Sequence, residues 1–440
     1  MRHYILIGSG IAGLAAAEVL RQHEASASIT LIAEETHPFY SRPGLAYLLT
    51  GVIPEKQLYV RTPAEVSGLR LNWIRARAAR FYPQDHQVIL ANSQRLTFDR
   101  LLLATGSTAV PPDFPGGDLK GVVKLDNLDD ARHILKLAQR GRTAVVVGGG
   151  ITALELVEGF RARGMRVHYL MRGERYWSGV LDETESRIIQ DRLEAEGVSV
   201  HYRTQVKQAI GKRGTLVGVE TTTGEYIACQ VLGIAIGVRP RIELALQAGL
   251  KSERGILVNE FLETSAPDVY AAGDVAQVHD PRSGRAVLDT LWSSALAQGQ
   301  VAGANMTGAQ TTYHKQVALN VTRLAGLTTT LIGAVGTGHG EDLVSIARGD
   351  SESWRITPEA WVVTNEHEVN RIRLLVGQHS LVGGLVMGDQ TLSRLLYDLI
   401  AAQADITSIR EALQANPASA IELVQNFHQQ WKSANHAPNL

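Results

Sequence analysis

The chain has 440 residues, of which 45% are hydrophobic and 20% are charged. This composition is typical of a folded globular protein and excludes a largely disordered one, and the length predicts roughly two to four domains. Forty-three basic residues balance 44 acidic ones, which excludes a whole-protein electric field that would attract nucleic acid or anionic lipid.

The chain begins with the pattern of a strand, a glycine-rich turn and a helix. A short β-branched strand over 3–7 precedes G-S-G-I-A-G at 8–13, and helix-forming residues follow. A second strand ends at Glu34, roughly 20 residues beyond the last glycine, where a dinucleotide-binding unit places the carboxylate that accepts from a ribose hydroxyl. We therefore predict that this turn binds a dinucleotide pyrophosphate at the helix amino terminus.

The same pattern recurs in the middle of the chain. A strand over 143–147 precedes G-G-G-I-T-A at 148–153, a helix over 154–163 and a strand over 167–171. Two such units indicate two dinucleotides, and the efficient reason to hold both is to pass a hydride between them. The alternative, that one copy is a relic that binds nothing, stays open.

The second unit differs from the first where the acid would stand. Its second strand ends in M-R-G-E-R at 171–175. Guanidinium groups at Arg172 and Arg175 suit a 2′-phosphate, which a carboxylate would repel, so this segment favours NADPH over NADH. The alternative is that both arginines are solvated loop charges and that Glu174 bonds a ribose hydroxyl.

Two further strands precede the last third of the chain. The apolar run 231–240 reads as one strand closed by a Gly-x-x-Pro turn, and 268–275 reads as a short strand ending at Gly273-Asp274. An acid at the carboxyl end of a strand suits a sugar hydroxyl, or simply caps a helix. The uncharged stretch 290–314 contains serine, glutamine and asparagine, so we predict no transmembrane helix.

Cys229 is the one cysteine of the chain. This count excludes an internal disulfide, a Cys-rich zinc site and a Cys-ligated iron–sulfur cluster, and it favours a reducing, cytoplasmic compartment. The position of Cys229 in an apolar strand predicts an inert core thiol. We predict no bound metal.

The chain beyond residue 310 has a different texture. Short β-type runs at 317–321, 328–335, 372–376 and 381–387 precede helices at 391–403 and 407–431, as in a separate α+β domain. The first helix carries an apolar face, which predicts core or dimer packing over membrane contact. That face consists of Leu392, Leu395, Leu396, Leu399 and Ile400.

Four motifs in order resemble the FAD-dependent pyridine nucleotide-disulfide oxidoreductase superfamily. They are the two glycine turns, L-L-L-A-T-G-S at 101–107 and T-S-A-P-D-V-Y-A-A-G-D-V at 264–275. Y-S-R-P at 40–43, Gly51 and G-I-L-V at 255–258 look like NAD(P)H:rubredoxin reductases and the flavoprotein part of nitrite reductase large subunits.

The resemblance implies an α/β fold with two nested Rossmann-like domains. Residues 1–110 and 240–310 would form a discontinuous FAD-binding domain, into which an NAD(P)-binding domain at 111–239 is inserted. Residues 311–440 would form a C-terminal α+β domain with a helical tail, available as an interface.

The resemblance also implies roles for individual residues. Those expected at FAD are Gly8, Ser9, Gly10, Ile11, Ala12, Gly13, Glu34, Glu35, Arg42, Pro43, Ala79, Ala104, Thr105, Gly106, Gly273, Asp274, Leu291 and Trp292. Those expected at NAD(P)H are Gly148, Gly150, Ile151, Thr152, Arg172, Arg175, Ala235, Ile236, Gly237 and Val238. Glu155 matches a family carboxylate near the nicotinamide, and Tyr47 stands where several relatives have its lysine partner. A structural hydrogen bond is the alternative role for Glu155.

The implied activity is that of an FAD-dependent NAD(P)H oxidoreductase, with hydride passing from nicotinamide to flavin. Related disulfide reductases relay electrons through a cysteine pair, or through one cysteine near Ser41 to Leu45, and this chain has neither. We therefore expect direct transfer to a small acceptor, such as a rubredoxin- or ferredoxin-type iron–sulfur protein. A quinone reductase and a slowly turning-over flavin redox sensor are the alternatives. Relatives commonly form homodimers, and no nucleic acid partner is expected.

Overall fold

The structure is a computed structural model that describes residues 2–336, 361–367 and 370–435. The first elements are β1 (His3–Ile7), α1 (Ile11–His23), β2 (Ser28–Ala33), α2 (Gly44–Thr50), α3 (Pro63–Gly68), β3 (Asn72–Arg75), β4 (Ala78–Tyr82), β5 (Gln87–Leu90), β6 (Arg95–Thr97), β7 (Arg100–Leu103) and β8 (Ser107–Ala109). Then come β9 (Val122–Lys124), α4 (Leu128–Leu137), β10 (Thr143–Val147), α5 (Ile151–Ala162), β11 (Arg166–Leu170), α6 (Glu183–Ala195), β12 (Val198–His201), β13 (Val206–Lys212), β14 (Thr215–Thr221), β15 (Tyr226–Ala228), β16 (Val231–Ile234) and β17 (Val238–Pro240).

The rest of the chain returns to the first sheet and then builds a third. Its elements are α7 (Glu243–Gln247), β18 (Ile256–Leu257), β19 (Val269–Ala271), β20 (Ala276–Asp280), β21 (Arg285–Leu288), α8 (Trp292–Met306), β22 (Leu319–Leu324), β23 (Leu327–Gly333), β24 (Trp361–His367), β25 (Asn370–Val376), β26 (Leu381–Met387), α9 (Ser393–Ala401), α10 (Thr407–Ala415) and α11 (Ala420–Asn435). Short 3₁₀ turns lie at Glu55–Leu58 and Pro417–Ser419. The parts 337–360, 368–369 and 436–440 of the expected C-terminal domain lie outside the described residues.

The first sheet is parallel, with the strand order β19-β7-β1-β2-β3. β1 lies in its centre and buries four of its five residues, as a parallel strand covered on both faces requires. β19 comes from far along the chain and pairs with β7. The first unit is therefore closed by residues that follow the second unit in the sequence.

The second sheet is also parallel, with the order β12-β11-β10-β16-β9. An antiparallel meander of β13, β14 and β15 packs beside it. The two units are joined by β8 and β17, which pair antiparallel. This arrangement confirms the predicted α/β fold with two nested Rossmann-like units. The predicted strand at 231–240 is β16, and the backbone turns at Gly237, whose φ is +120°, within the predicted Gly-x-x-Pro turn. The residues after Gly237, predicted as part of that turn, form the strand β17 instead.

The third sheet is antiparallel, with the order β22-β23-β26-β25-β24. α9 packs on β23 and β26, and its Leu396, Leu399 and Ile400 are at most 1% exposed. The apolar face of this helix is therefore core, as predicted. The single helix predicted over 407–431 was wrong, since Pro417 lacks an N–H and the chain breaks there into α10 and α11. Among the described residues, no helix has the length and apolar character needed to span a bilayer.

A buried ionic network attaches the third sheet to the second unit. Nε of Arg373 donates to Oε1 of Glu185 at 2.9 Å, and its Nη2 donates to the carbonyls of Val180 and Val335. The Arg373 and Glu185 side chains are 1% and 0% exposed. Nη2 of Arg371 also donates to Asp182 at 2.6 Å, at the amino terminus of α6. These bonds hold β25 against α6.

Replacing Arg373 with methionine tests this attachment. Arg373→Met removes the 2.9 Å partner of the buried Glu185 carboxylate and leaves the more distant Nε of Arg371 at 3.5 Å, so we expect the free energy of unfolding to fall by about 3 kcal/mol. Urea unfolding followed by tryptophan fluorescence measures it. The control Arg394→Met removes an ion pair whose arginine is 83% exposed, and it should cost at most about 0.5 kcal/mol. Equal losses in the two variants would contradict the assignment.

Candidate functional site

One large cavity opens where the three sheets meet. Its volume is about 1310 Å³, above the roughly 300–1,000 Å³ of a usual small-molecule site. It therefore has room for parts of two large ligands. Predicted residues on its wall are Gly8, Ser9, Gly10, Ile11, Ala12, Glu34, Glu35, Arg42, Pro43, Tyr47, Ala79, Ala104, Thr105, Gly106, Ile151, Glu155, Gly273, Asp274, Leu291 and Trp292.

The first glycine turn forms one wall of this cavity. Gly8 has φ +118°, and a Cβ there would lie 2.0 Å from the carbonyl oxygen of Ala104. Gly13 lies beneath the turn instead of on the wall, because a Cβ there would lie 2.1 Å from the carbonyl oxygen of Gly8. A Cβ on Gly10 would meet nothing within 4 Å, so open space lies above it. α1 begins without a side-chain cap, and its free N–H groups suit a pyrophosphate.

A second helix start and a carboxylate face the same space. α8 begins at Trp292 without a side-chain cap, and residues 290–293 line the cavity. Asp274 accepts a hydrogen bond from the Ser107 hydroxyl at 2.6 Å. The N–H of Gly273, whose φ is +82°, donates to Oε1 of Gln298 at 2.7 Å. A dinucleotide that carries a sugar-like chain and an electron-accepting ring fits these donors and acceptors.

Arg42 lies in a polar network that joins the two units. It pairs with Glu35, and its Nη1 donates to the carbonyl of Asp126 at 2.8 Å. The Asp126 carboxylate, 4% exposed, accepts from Thr108 at 2.8 Å and from Arg241 at 3.2 Å. Thr108, Asp126 and Arg241 all line the cavity and were missed from the sequence. They carry no motif, because only folding brings these distant residues together.

The helix α5 supplies a row of acids to the cavity. Glu155 and Tyr47 of α2 both line it, and Glu158 follows Glu155 on the same helix face. Glu158 accepts from the N–H of Gly326 at 3.1 Å, and burial raises its pKa to about 7. Its carboxyl therefore changes protonation near neutral pH. Glu158 was missed from the sequence, where its i+3 spacing from Glu155 was the available signal.

The second glycine turn repeats the geometry of the first. Gly148 has φ +148°, and a Cβ there would lie 2.1 Å from the carbonyl oxygen of Ala235. A Cβ on exposed Gly149 would meet nothing within 4 Å, and α5 begins without a side-chain cap. The buried Thr152 hydroxyl has no hydrogen-bond partner among the described residues. This turn too suits a dinucleotide.

Ten predicted residues lie outside the main cavity. Ile151 and Glu155 reach it from α5, whereas the glycine turn before this helix does not line it. The residues off the cavity wall are Gly13, Gly148, Gly150, Thr152, Arg172, Arg175, Ala235, Ile236, Gly237 and Val238.

The lone thiol lies away from the cavity. Cys229 is 0% exposed, and burial raises its pKa to about 12. It packs among apolar residues between the second sheet and the meander. Within the described part of the chain, no three His, Cys, Asp or Glu side chains are grouped to hold a metal ion.

Two Rossmann-like units, one with its glycine turn on the cavity wall and the other reaching the same cavity through α5, define an oxidoreductase that uses two dinucleotides. Residues 2–302 match the family described as pyridine nucleotide-disulphide oxidoreductase. The chain belongs to this family and is an FAD-dependent NAD(P)H oxidoreductase. The predicted superfamily and enzyme class are confirmed.

Named relatives have related activities. The ferredoxin–NAD(+) reductase component of the biphenyl dioxygenase system of Paraburkholderia xenovorans is 32% identical over 79% of this chain and 84% of its own length. An NADH oxidase of Methanocaldococcus jannaschii is 30% identical over 73% of this chain and 74% of its own. The covalent putidaredoxin reductase–putidaredoxin complex has the same fold, with a TM-score of 0.83 and 21% identity over 96% of this chain and 99% of that chain.

An alanine substitution in each glycine turn tests the FAD site and the NAD(P)H site separately. Gly10→Ala adds a methyl group that meets no protein atom, so the unfolding midpoint of the apoprotein should not change. The methyl group enters space that a pyrophosphate would occupy, and FAD affinity should fall about tenfold or more. The variant Gly150→Ala, at the matched position directly before α5, should weaken NAD(P)H binding and leave FAD bound. Fluorescence titration with each nucleotide measures both, and equal loss of FAD in both variants would refute the assignment.

Proposed function

We propose that this chain takes a hydride from NAD(P)H and passes electrons directly to a small iron–sulfur protein of the ferredoxin or rubredoxin type. FAD bound in the main cavity would supply the chemistry, since it accepts two electrons together and releases them singly. The observation that carries the proposal is one cavity reached by both dinucleotide units, with the sole thiol buried elsewhere.

The residues of the first unit would hold FAD at several points. The backbone of Gly8 to Gly10 and the start of α1 would bind its pyrophosphate, and Arg42 would add positive charge beside it. Asp274 would accept from a hydroxyl of the chain that leads to the ring. The start of α8 would stabilise negative charge that arrives with the hydride.

The residues of α5 and α2 would place the nicotinamide. Ile151 and Glu155 lie on the cavity wall one helical turn apart, and Tyr47 of α2 lines the same cavity. We assign these side chains to orienting the nicotinamide and excluding water, because hydride transfer depends on close placement of its two partners. No side chain need exchange a proton in that step.

Two observations support a protein as the electron acceptor. The chain has no second cysteine, and residues 41–45 contain none, so no internal disulfide relay is available. Exposed apolar side chains surround the cavity mouth, and such rims favour a macromolecular contact. These are Val52, Val60, Trp292, Leu319 and Val321, with exposures of 38% to 58%.

Rapid mixing tests the acceptor. The holoenzyme, reduced anaerobically with NADPH, is mixed with an oxidised ferredoxin, a rubredoxin or a soluble quinone while flavin absorbance is followed. We expect reoxidation by an iron–sulfur protein at 1 per second or faster. Preferred reoxidation by the quinone would support a quinone reductase instead. Flavin reduction that takes hours, with a change in assembly state, would support a redox sensor.

The proposed preference is for NADPH over NADH. Arg172 is exposed and Arg175 half-buried in the loop after β11. Glu174, the one carboxylate of that loop segment, pairs with Arg203 at 2.6 Å, and this pairing weakens its repulsion of a 2′-phosphate. Arg203 was missed from the sequence because it lies beyond β12. A loop of this charge favours the additional phosphate of NADPH.

Removal of the two arginines tests this preference. Arg172→Ala combined with Arg175→Ala should weaken NADPH binding by about 1 to 3 kcal/mol, because charge-assisted hydrogen bonds are lost, and should change NADH binding far less. Dissociation constants from anaerobic flavin titrations measure both. The control Arg140→Ala removes an exposed cation just before β10, at the amino ends of the parallel strands and away from the loop after β11. It should affect the binding of neither nucleotide. Equal losses for both nucleotides would rule out a 2′-phosphate site.

A further inference from the structure

Asp289 and Lys315 form an ion pair inside the protein. Nζ of Lys315 lies 3.6 Å from Oδ2 of Asp289, and the side chains are 3% and 0% exposed, respectively. Burying two charges is costly, and an apolar pair of similar size is often as stable. Stability alone therefore does not explain the pair, and its position in the fold supplies another reason.

The pair lies directly behind the wall of the main cavity. Asp289 connects β21 to α8, and the residues after it, 290–293, line the cavity. Burial raises the pKa of the Asp289 carboxyl, whereas Lys315, the Ser294 hydroxyl and the Leu291 N–H oppose that shift. The Asp289–Lys315 ion pair thus lies behind the helix start that lines the main cavity.

Lys315 comes from the segment that leads to the third sheet. After α8 the chain runs back along this helix. Thr311 is bonded to Asn305 through two 2.8 Å contacts. Farther along, Tyr313 faces Ser294 and Gln298, and Lys315 reaches Asp289 at the helix start.

The same segment also supports the Gly273-Asp274 turn, which lies on the cavity wall. Gln298, 0% exposed, holds the Gly273 N–H at 2.7 Å, and Tyr313 packs against this glutamine. The residues that lead into the third sheet therefore contact the α8 start directly and reach the Gly273-Asp274 turn through Gln298.

We propose that Asp289 and Lys315 set the reduction potential of FAD in the main cavity. In a buried, low-dielectric setting, each charge acts on the cavity with little screening by water or salt. The Lys315 ammonium favours the negative charge that a hydride brings, and the Asp289 carboxylate opposes it. Neither side chain touches the cavity, so both act as tuning residues. The proposal does not depend on which acceptor takes the electrons.

Two variants that remove charges of opposite sign test the proposal. The FAD midpoint potential of the holoenzyme is measured by spectroelectrochemical titration, without NAD(P)H or acceptor. Lys315→Met should lower the potential and Asp289→Asn should raise it, each by tenfold or more in the two-electron equilibrium constant, which is about 30 mV. The double variant should return toward the wild-type value. Lys251→Met, which removes an exposed charge, should leave the potential unchanged.

A purely structural role predicts a different pattern. Loss of packing would shift the midpoint potential of both single variants in the same direction, and the double variant would show a larger shift than either. That result, or unchanged potentials, would overturn the proposal. If Lys315→Met does not retain FAD, Asp289→Asn decides alone, and only a raised potential supports the pair. Lys315→Arg keeps the charge and should keep the potential. Because no acceptor is present, failure of the iron–sulfur proposal would not affect this result.

Discussion

The close contact between α1 and α8 is the constraint on which the site depends. A Cβ on Gly299 would lie 2.2 Å from the carbonyl oxygen of Ala12, and one on Gly303 would lie 2.8 Å from that of Ala16. Only small residues allow this approach, which places two uncapped helix starts at one cavity. Since helix starts carry partial positive charge, this packing provides two favourable positions for anionic groups on the cavity wall.

A second repeated contact builds both nucleotide crevices. Gly8 lies against the residue that follows β7, and Gly148 lies against the residue that follows β16. In each sheet this is the point where strand order reverses, which is where α/β folds bind ligands. The α2 and α5 helices then join the units, because the Gly159 position allows Leu49 to pack against α5. Two similar halves thus meet over one space.

The sequence predicted what local rules determine. A nucleotide-binding turn requires a glycine with positive φ directly after a strand and small residues at fixed positions before the next helix. Both turns and most of the cavity wall could therefore be found in advance. Thr108, Asp126 and Arg241 could not, since Asp126 and Arg241 are 115 residues apart and no pattern links them. The same holds for Asp289 and Lys315. Pro417 did signal the break between α10 and α11 that was missed, but apolar periodicity was given more weight than this residue.

The burial of Cys229 has a practical consequence. Its thiol is shielded from solvent and protonated at ordinary pH, so alkylating reagents should react slowly with it. A cysteine introduced at an exposed position would then be the dominant reactive sulfur, and the natural chain serves as its own background for attaching a spin label, a fluorophore or an electrode linker at a chosen point.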